Sequence, residues 1–193
     1  MALEAGELGF DSVVAVGAAG ATIRGVEIVG GTLLQGRDPR EVQAAVRRFG
    51  QGSAIPMVNA GDYTFNRAIL HIGGIRVLRD IQSSPRNSFD HILSRTAAER
   101  QVAVDLDISP LVRGRNYVRQ KTLHRYADLV RLQSRFEFPL VISSGARSIL
   151  EMKSPRDMVA LCRLFGLDEE GVGQALMGIS RLLHPEKPVE VVE

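Results

Sequence analysis

The chain is 193 residues long, 45% hydrophobic and 24% charged, which suits one globular domain with a sizeable core and argues against a disordered or membrane chain. No apolar run reaches the ~18–20 residues needed to span a bilayer, and the N-terminus lacks the basic and long apolar regions of a secretory signal. The net charge of +2 hides an uneven distribution: residues 108–136 hold seven cations against the single acid Asp128, so that stretch carries +6 and the remainder −4.

In chain order, Ser12–Val16, Val26–Leu34, Ile55–Asn59, Ile75–Leu78, Val102–Leu106 and Leu140–Ser143 are β-branched, nearly continuous apolar runs. They are expected strands covered on both faces. Helical patterns separate them. Asp38-Pro39-Arg40-Glu41 supplies an N-cap, a proline at the first helical position and a capping-box acid. Val42, Ala45, Val46 and Phe49 follow at helical spacing and Gly50 closes the segment. Asp62 and Ser88 are expected to cap two further helices carrying Phe65, Ala68 and Ile69, then Ile92 and Leu93. Leu123, Tyr126, Ala127 and Val130 mark a long helix inside the basic stretch. Ser154-Pro155-Arg156-Asp157 repeats the earlier helix start, before the stripe Met158, Leu161, Cys162 and Phe165 and a closing Gly166. A last helix is expected from Asp168, with Val172, Ala175, Leu176 and Ile179 on one face. Residues 1–184 therefore read as one domain and residues 185–193 as a C-terminal tail. Strand-then-helix repetition implies right-handed βαβ units and a parallel sheet, either doubly wound or a (β/α) barrel.

In such folds ligands meet the carboxyl ends of strands. Asp105-Leu106-Asp107 alternates, so both carboxylates fit one side of a strand. They suit a metal or general-base pair, or else a strand end whose acids balance Arg113 and Arg115 or cap the following turn. His71, His91, His124 and His184 are scattered and form no H-x-H or H-x-x-x-H cluster. The run Ser143-Ser144-Gly145-Ala146-Arg147-Ser148 ends an apolar strand with small residues and a forked donor; it suits a phosphate or protein-contact loop, or a tight β-to-α turn. No Walker motif is present, and the two serines lack a paired histidine and acid in any familiar order. Tryptophan is absent and aromatics are 5% of the chain, so any nucleic-acid contact is expected with backbone and shape. Cys162 is the only cysteine and sits among apolar residues, as a small buried hydrophobe in a reducing cytoplasm.

Several of these segments together carry a family likeness. Gln101-Val102-Ala103-Val104-Asp105-Leu106-Asp107-Ile108-Ser109-Pro110-Leu111 leads into the Arg-rich helix. Phe138-Pro139-Leu140-Val141-Ile142-Ser143-Ser144-Gly145-Ala146-Arg147 follows, then Ser154-Pro155-Arg156-Asp157 and Leu164-Phe165-Gly166-Leu167. In that order they resemble the archaeal ribonuclease P protein component 3 family, related to the thirty-kilodalton eukaryal subunit. Glu4-Ala5-Gly6-Glu7-Leu8-Gly9-Phe10-Asp11 and Gly25-Val26-Glu27-Ile28 match as well.

The resemblance implies an α/β, TIM-barrel-like (β/α) barrel of the polymerase and histidinol phosphatase type, without that superfamily's metal cluster. It implies a non-catalytic subunit of ribonuclease P, the endonuclease that removes the 5′ leader from precursor tRNA. Such a subunit assembles with the small αβ subunit (component 2), often as a heterotetramer, and with other subunits on the RNase P RNA, whose bound Mg²⁺ does the chemistry. No cofactor on this chain and no membrane partner are expected. Charge and loop placement then make Arg113, Arg115, Arg119, Lys121, Arg125 and Arg147 the expected RNA contacts. Ser143, Ser144, Gly145, Lys153 and Arg156 form the expected partner or RNA contact loop. The alternatives are a metal-dependent phosphoesterase of the same fold using Asp105 and Asp107, and a non-catalytic interaction module. Family members have an opening strand before the helix that Met1–Gly9 represents, so the barrel is expected to lack its first strand and leave neighbouring edges unpaired.

Overall fold

Alternation along the strands decides how this chain folds. In the computed structural model, which describes residues 1–36, 38–49 and 54–183, residues of one parity build one core and those of the other parity a second. Val29, Ile55, Met57, Val77, Ala103 and Val141 form the inner cluster, against which Val14, Leu33 and Ile179 pack. Their neighbours Val58, Leu78, Val104 and Leu140 face outward and join Val42, Ile69, Leu93, Leu129, Phe138 and Cys162 beneath the helices. Strands apolar on both sides suit this two-sided burial.

The strands are β1 (Ser12–Val16), β2 (Ala21–Ile23), β3 (Val26–Leu33), β4 (Ile55–Asn59), β5 (Val77–Arg79), β6 (Ala103–Asp107) and β7 (Leu140–Ser143). The helices are α1 (Ala2–Glu7), α2 (Pro39–Phe49), α3 (Tyr63–Leu70), α4 (His91–Arg100), α5 (Ser109–Arg113), α6 (Asn116–Phe136), α7 (Pro155–Arg163), α8 (Glu169–Leu176) and α9 (Gly178–Leu183). The sheet runs β1-β3-β4-β5-β6-β7, every pair on this path parallel. Among the described residues β1 and β7 do not meet, so this is an open, TIM-barrel-like half-barrel.

Most expected strands appear within one or two residues of their positions. The hairpin strand β2 was not anticipated. It pairs antiparallel with β3 (Ile23↔Val26) through a two-residue turn in which Arg24 and Gly25 both have positive φ, 47° and 85°. That is the geometry of a primed hairpin turn, here without the usual Asn-Gly signal.

The helix starts follow their caps. Asp38 Oδ1 accepts from the amides of Arg40 and Glu41, Asp62 caps α3 through Phe65, and Ser154 and Asp157 form a complete capping box on α7. Gly50, His184 and the 185–193 tail lie outside the described residues. Two expectations need correction. Ser88 does not cap α4; Asp90 does, accepting from Ile92 and Leu93, while Ser88 is buried in the preceding 3-10 turn and Ile92 faces solvent. The last helix is not continuous but breaks at Met177 into α8 and α9. Gly178 there approaches β7 so closely that a Cβ would lie 2.6 Å from the Leu140 carbonyl oxygen, which lets α9 carry Ile179 onto the inner cluster.

Candidate nucleic-acid and partner interface

The β6 and β7 carboxyl ends and the segments that leave them hold most of the expected site residues. Extending the β5–β6 register places Arg79 beside Asp105, and β7 brings up Ser143 (Asp107↔Ser143). Arg79 Nε donates to Asp105 Oδ2 at 3.0 Å and Ser143 Oγ donates to the same oxygen at 2.9 Å. Asp105 is only 2% exposed, and its other oxygen, Oδ1, has no hydrogen-bond partner. Burial outweighs the attraction of Arg79 and pushes its pKa up to about 6.

Asp107 has a different task. Its Oδ1 accepts from the Ser109 amide at 2.8 Å, and its main-chain carbonyl accepts from the buried Tyr126 hydroxyl at 2.7 Å. The two carboxylates thus brace a strand end. Among the described residues no group of three His, Cys, Asp or Glu side chains is arranged to hold a metal, so the phosphoesterase alternative finds no ligand set here. Cys162 is buried and its thiol is pushed up to about 12, the inert hydrophobe its context suggested.

From β6 the chain enters α5, turns at Gly114 and runs into α6. Residues 115–121 are all exposed, so the first turns of α6 stand clear of the body. Arg115, Arg119 and Lys121 lie there without an ion-pair partner among the described residues. Arg113 is engaged: Nη1 meets Glu151 Oε2 at 2.8 Å and Nη2 donates to the Gly145 carbonyl at 3.2 Å.

Arg125 corrects the charge-based expectation. It is 6% exposed, donates to the Arg86 carbonyl and, at 3.0 Å, to Ser88 Oγ, and so clips the loop after β5 onto α6. Burial lowers its pKa from the ordinary guanidinium value. A guanidinium turned inward in this way has no free face for a phosphate.

The loop after β7 is also more occupied than its small residues suggest. Ser144 Oγ accepts from the Ala146 amide at 3.3 Å, and Glu151 Oε2 accepts from the Arg147 amide at 2.7 Å. These two amides are satisfied internally. Arg147 and Arg156 are exposed and Lys153 half-buried. Gly145, at φ +56°, lies over Asp107 where a Cβ would fall 2.4 Å from Oδ1.

This assembly defines a class: a half-barrel of the TIM-barrel-like type whose strand ends are braced internally and whose nearest helix projects uncompensated cations. The sequence pattern of the family described as RNase P subunit p30 matches residues 1–185, and the chain belongs to that family. It is 29% identical over 151 residues to ribonuclease P protein component 3 of Methanothermobacter thermautotrophicus, covering 78% of this chain and 62% of that protein. It is 31% identical over 137 residues to the component 3 of Methanococcus maripaludis, covering 68% of this chain and 57% of that protein. The chain spans about three fifths of the length of the curated relatives it matches. Its fold is similar to that of a chain in the cryo-EM structure of archaeal ribonuclease P with mature tRNA. That match has a TM-score of 0.80 and 19% identity, and covers 92% of this chain and 83% of that one.

Proposed function

We propose that this chain is a non-catalytic protein subunit of ribonuclease P, assisting RNA-catalysed removal of the 5′ leader from precursor tRNA. The observation that carries this reading is the family match over residues 1–185. The free cations at the start of α6 supply a physical means: Arg115, Arg119 and Lys121, with Arg147 nearby, neutralise phosphates of the RNase P RNA. Arg113 can join them only at the expense of its bond to Glu151, and Arg125 is left out because its guanidinium is committed to the protein interior. The small αβ subunit (component 2) is the direct protein partner, as a heterotetramer, alongside other subunits. Mg²⁺ resides on the RNA, and the complex works in the cytoplasm. No described helix is long and apolar enough to cross a membrane.

Replacing Arg115 and Arg119 together with alanine is expected to weaken RNA binding whatever the RNA sequence. The slope of log K against log salt should become shallower by roughly 1.5, from ~0.7–0.9 per phosphate contact. Filter binding at several salt concentrations reads this directly. An unchanged affinity and slope would remove the two arginines from the RNA contact.

A further inference from the structure

A second run of cations precedes the basic stretch at residues 108–136. Between Glu41 and Asp80 the sequence holds Arg47, Arg48, Arg67, Arg76 and Arg79 against the single acid Asp62. The fold then sorts these charges by end. In a parallel sheet with helical crossovers, every helix finishes at the end where the strands begin. Asp62 caps the start of α3 and Arg79 closes β5 beside Asp105, so both lie at the carboxyl end of the sheet. Arg47 and Arg48 in the last turn of α2, Arg67 in the last turn of α3 and Arg76 just before β5 lie at the amino end.

Three of these four arginines border one turn. The loop from α3 to β5 lies against α2, where a Cβ on Gly74 would fall 2.9 Å from Val46 Cγ1. Arg47 and Arg48 follow Val46 directly. Arg76 stands two residues beyond Gly74, its amide donating to the Pro56 carbonyl and its carbonyl accepting from the Ala103 amide. Arg67 lies about one helical turn before His71, where the loop begins. All four arginines are exposed, and none is in an ion pair among the described residues. Arg48 Nε donates to the Ala44 carbonyl at 3.3 Å, and its terminal nitrogens stay unengaged. Gly73 and Gly74 are exposed too, and their amides have no partner among the described residues. Helix C-termini attract cations, but that accounts neither for Arg76, which leads into a strand, nor for the missing acids.

We propose that Arg47, Arg48, Arg67 and Arg76, around the Gly73-Gly74 turn, form a second RNA contact. It takes a stretch of phosphate backbone separate from the one met by the start of α6. This rests on the subunit reading above and adds a site to it. Because α6 starts beyond the carboxyl end of β6, the two contacts lie at opposite ends of the sheet, and the chain bridges two RNA segments. The chemistry of this surface selects RNA over protein. None of the exposed large apolar side chains falls between Val42 and Arg79, so a protein partner finds no apolar centre to bury. Nucleic-acid interfaces are instead polar and strongly positive. Phe49, Tyr63 and Phe65 pack against the core and offer no platform for a base, so the forked guanidinium groups and bare glycine amides meet backbone phosphate.

The test is binding of the full chain to the cognate RNase P RNA, read by filter binding across salt and by hydroxyl-radical footprinting. Wild type is compared with the pair Arg47→Ala and Arg76→Ala, and with the pair Arg115→Ala and Arg119→Ala. Losing Arg47 and Arg76 should make the salt slope shallower by roughly 1.5, so that the advantage of wild type narrows about eightfold between about 50 and 200 mM salt. The footprint should lose a segment other than the one lost with Arg115 and Arg119. Arg47→Lys with Arg76→Lys should restore most of the slope, since the charge is kept. Both side chains are exposed, so the melting temperatures should match wild type. Unchanged affinity and slope for the Arg47 and Arg76 pair, with the Arg115 and Arg119 pair impaired, overturns the second contact and leaves the subunit reading intact. Loss of one and the same segment in both pairs also overturns it. So does weaker binding to the small αβ subunit with RNA affinity unchanged, which assigns the row to protein. Failure of wild type itself to bind the RNA overturns both readings.

Discussion

Replacing Asp105 with asparagine is expected to stabilise the protein at neutral pH and to flatten its stability between about pH 4 and pH 6. The carboxyl is buried, its pKa raised from 3.8 to about 6. Desolvation is the leading cause, opposed by Arg79 and Ser143 and reinforced by the charge of Asp107. Over this interval the native state holds a proton that the unfolded chain has released. Its contribution is therefore fully present below about pH 4 and lost as the pH rises through about 6. A shift of about two units corresponds to at most about 3 kcal/mol, since each unit is worth 1.36 kcal/mol. Asparagine resembles the protonated acid in shape and charge, and Arg79 is exposed enough to turn its guanidinium to water. Glu151 and Asp157, whose carboxyls are held below the usual range, act with the opposite sign near the acid end. Both proteins contain them, so the difference between the two melting curves isolates Asp105. A variant that melts below wild type at pH 7.5, with the same pH dependence, would show that the ion pair with Arg79 dominates the site.

Gly145→Ala is expected to lower stability by about 2–4 kcal/mol, adding the left-handed backbone conformation to a lost charged hydrogen bond. Gly145 has φ +56°, and a Cβ there would lie 2.4 Å and 2.9 Å from the two carboxylate oxygens of Asp107 and 2.8 Å from Ser109 Oγ. Asp107 cannot simply swing aside, because its Oδ1 accepts from the Ser109 amide. The loop cannot simply lift, because its carbonyl is held by Arg113. Gly173→Ala is the matched control: it lies within α8, and a Cβ there meets nothing within 4 Å. That change should stabilise by up to about 1 kcal/mol. Thermal melts of the two variants should therefore move in opposite directions. A Gly145→Ala protein that melts with wild type would mean that the loop is free to shift.

The sheet was legible because its strands are apolar on both parities, a pattern that follows from burial on both faces and survives without any alignment. The capping box at Ser154 and Asp157 was equally clear, since the motif contains both partners of the reciprocal bonds. Ser88 misled because serine is a good cap in general, while Asp90, two residues on, is the one whose carboxylate meets the free amides. The break at Gly178 leaves no local signal, because it answers to the Leu140 carbonyl across the fold.

Arg125 was legible and was misread. Thr122, Arg125, Tyr126 and Leu129 are the buried residues of α6 and stand at i, i+3, i+4 and i+7. Counting charge over the stretch ignored that phase, whereas placing each cation on the helix would have separated Arg125 from Arg115, Arg119 and Lys121. The bonds around Glu151 had no comparable signal, since they join α5 to a turn 38 residues away.

The most direct test of the subunit reading is cleavage of precursor tRNA by the cognate RNase P RNA at moderate Mg²⁺, with the small αβ subunit present and this chain added or withheld. Strong stimulation only when both proteins are present is the predicted result, with the RNA remaining the catalyst. No stimulation by a chain shown to be folded would contradict it.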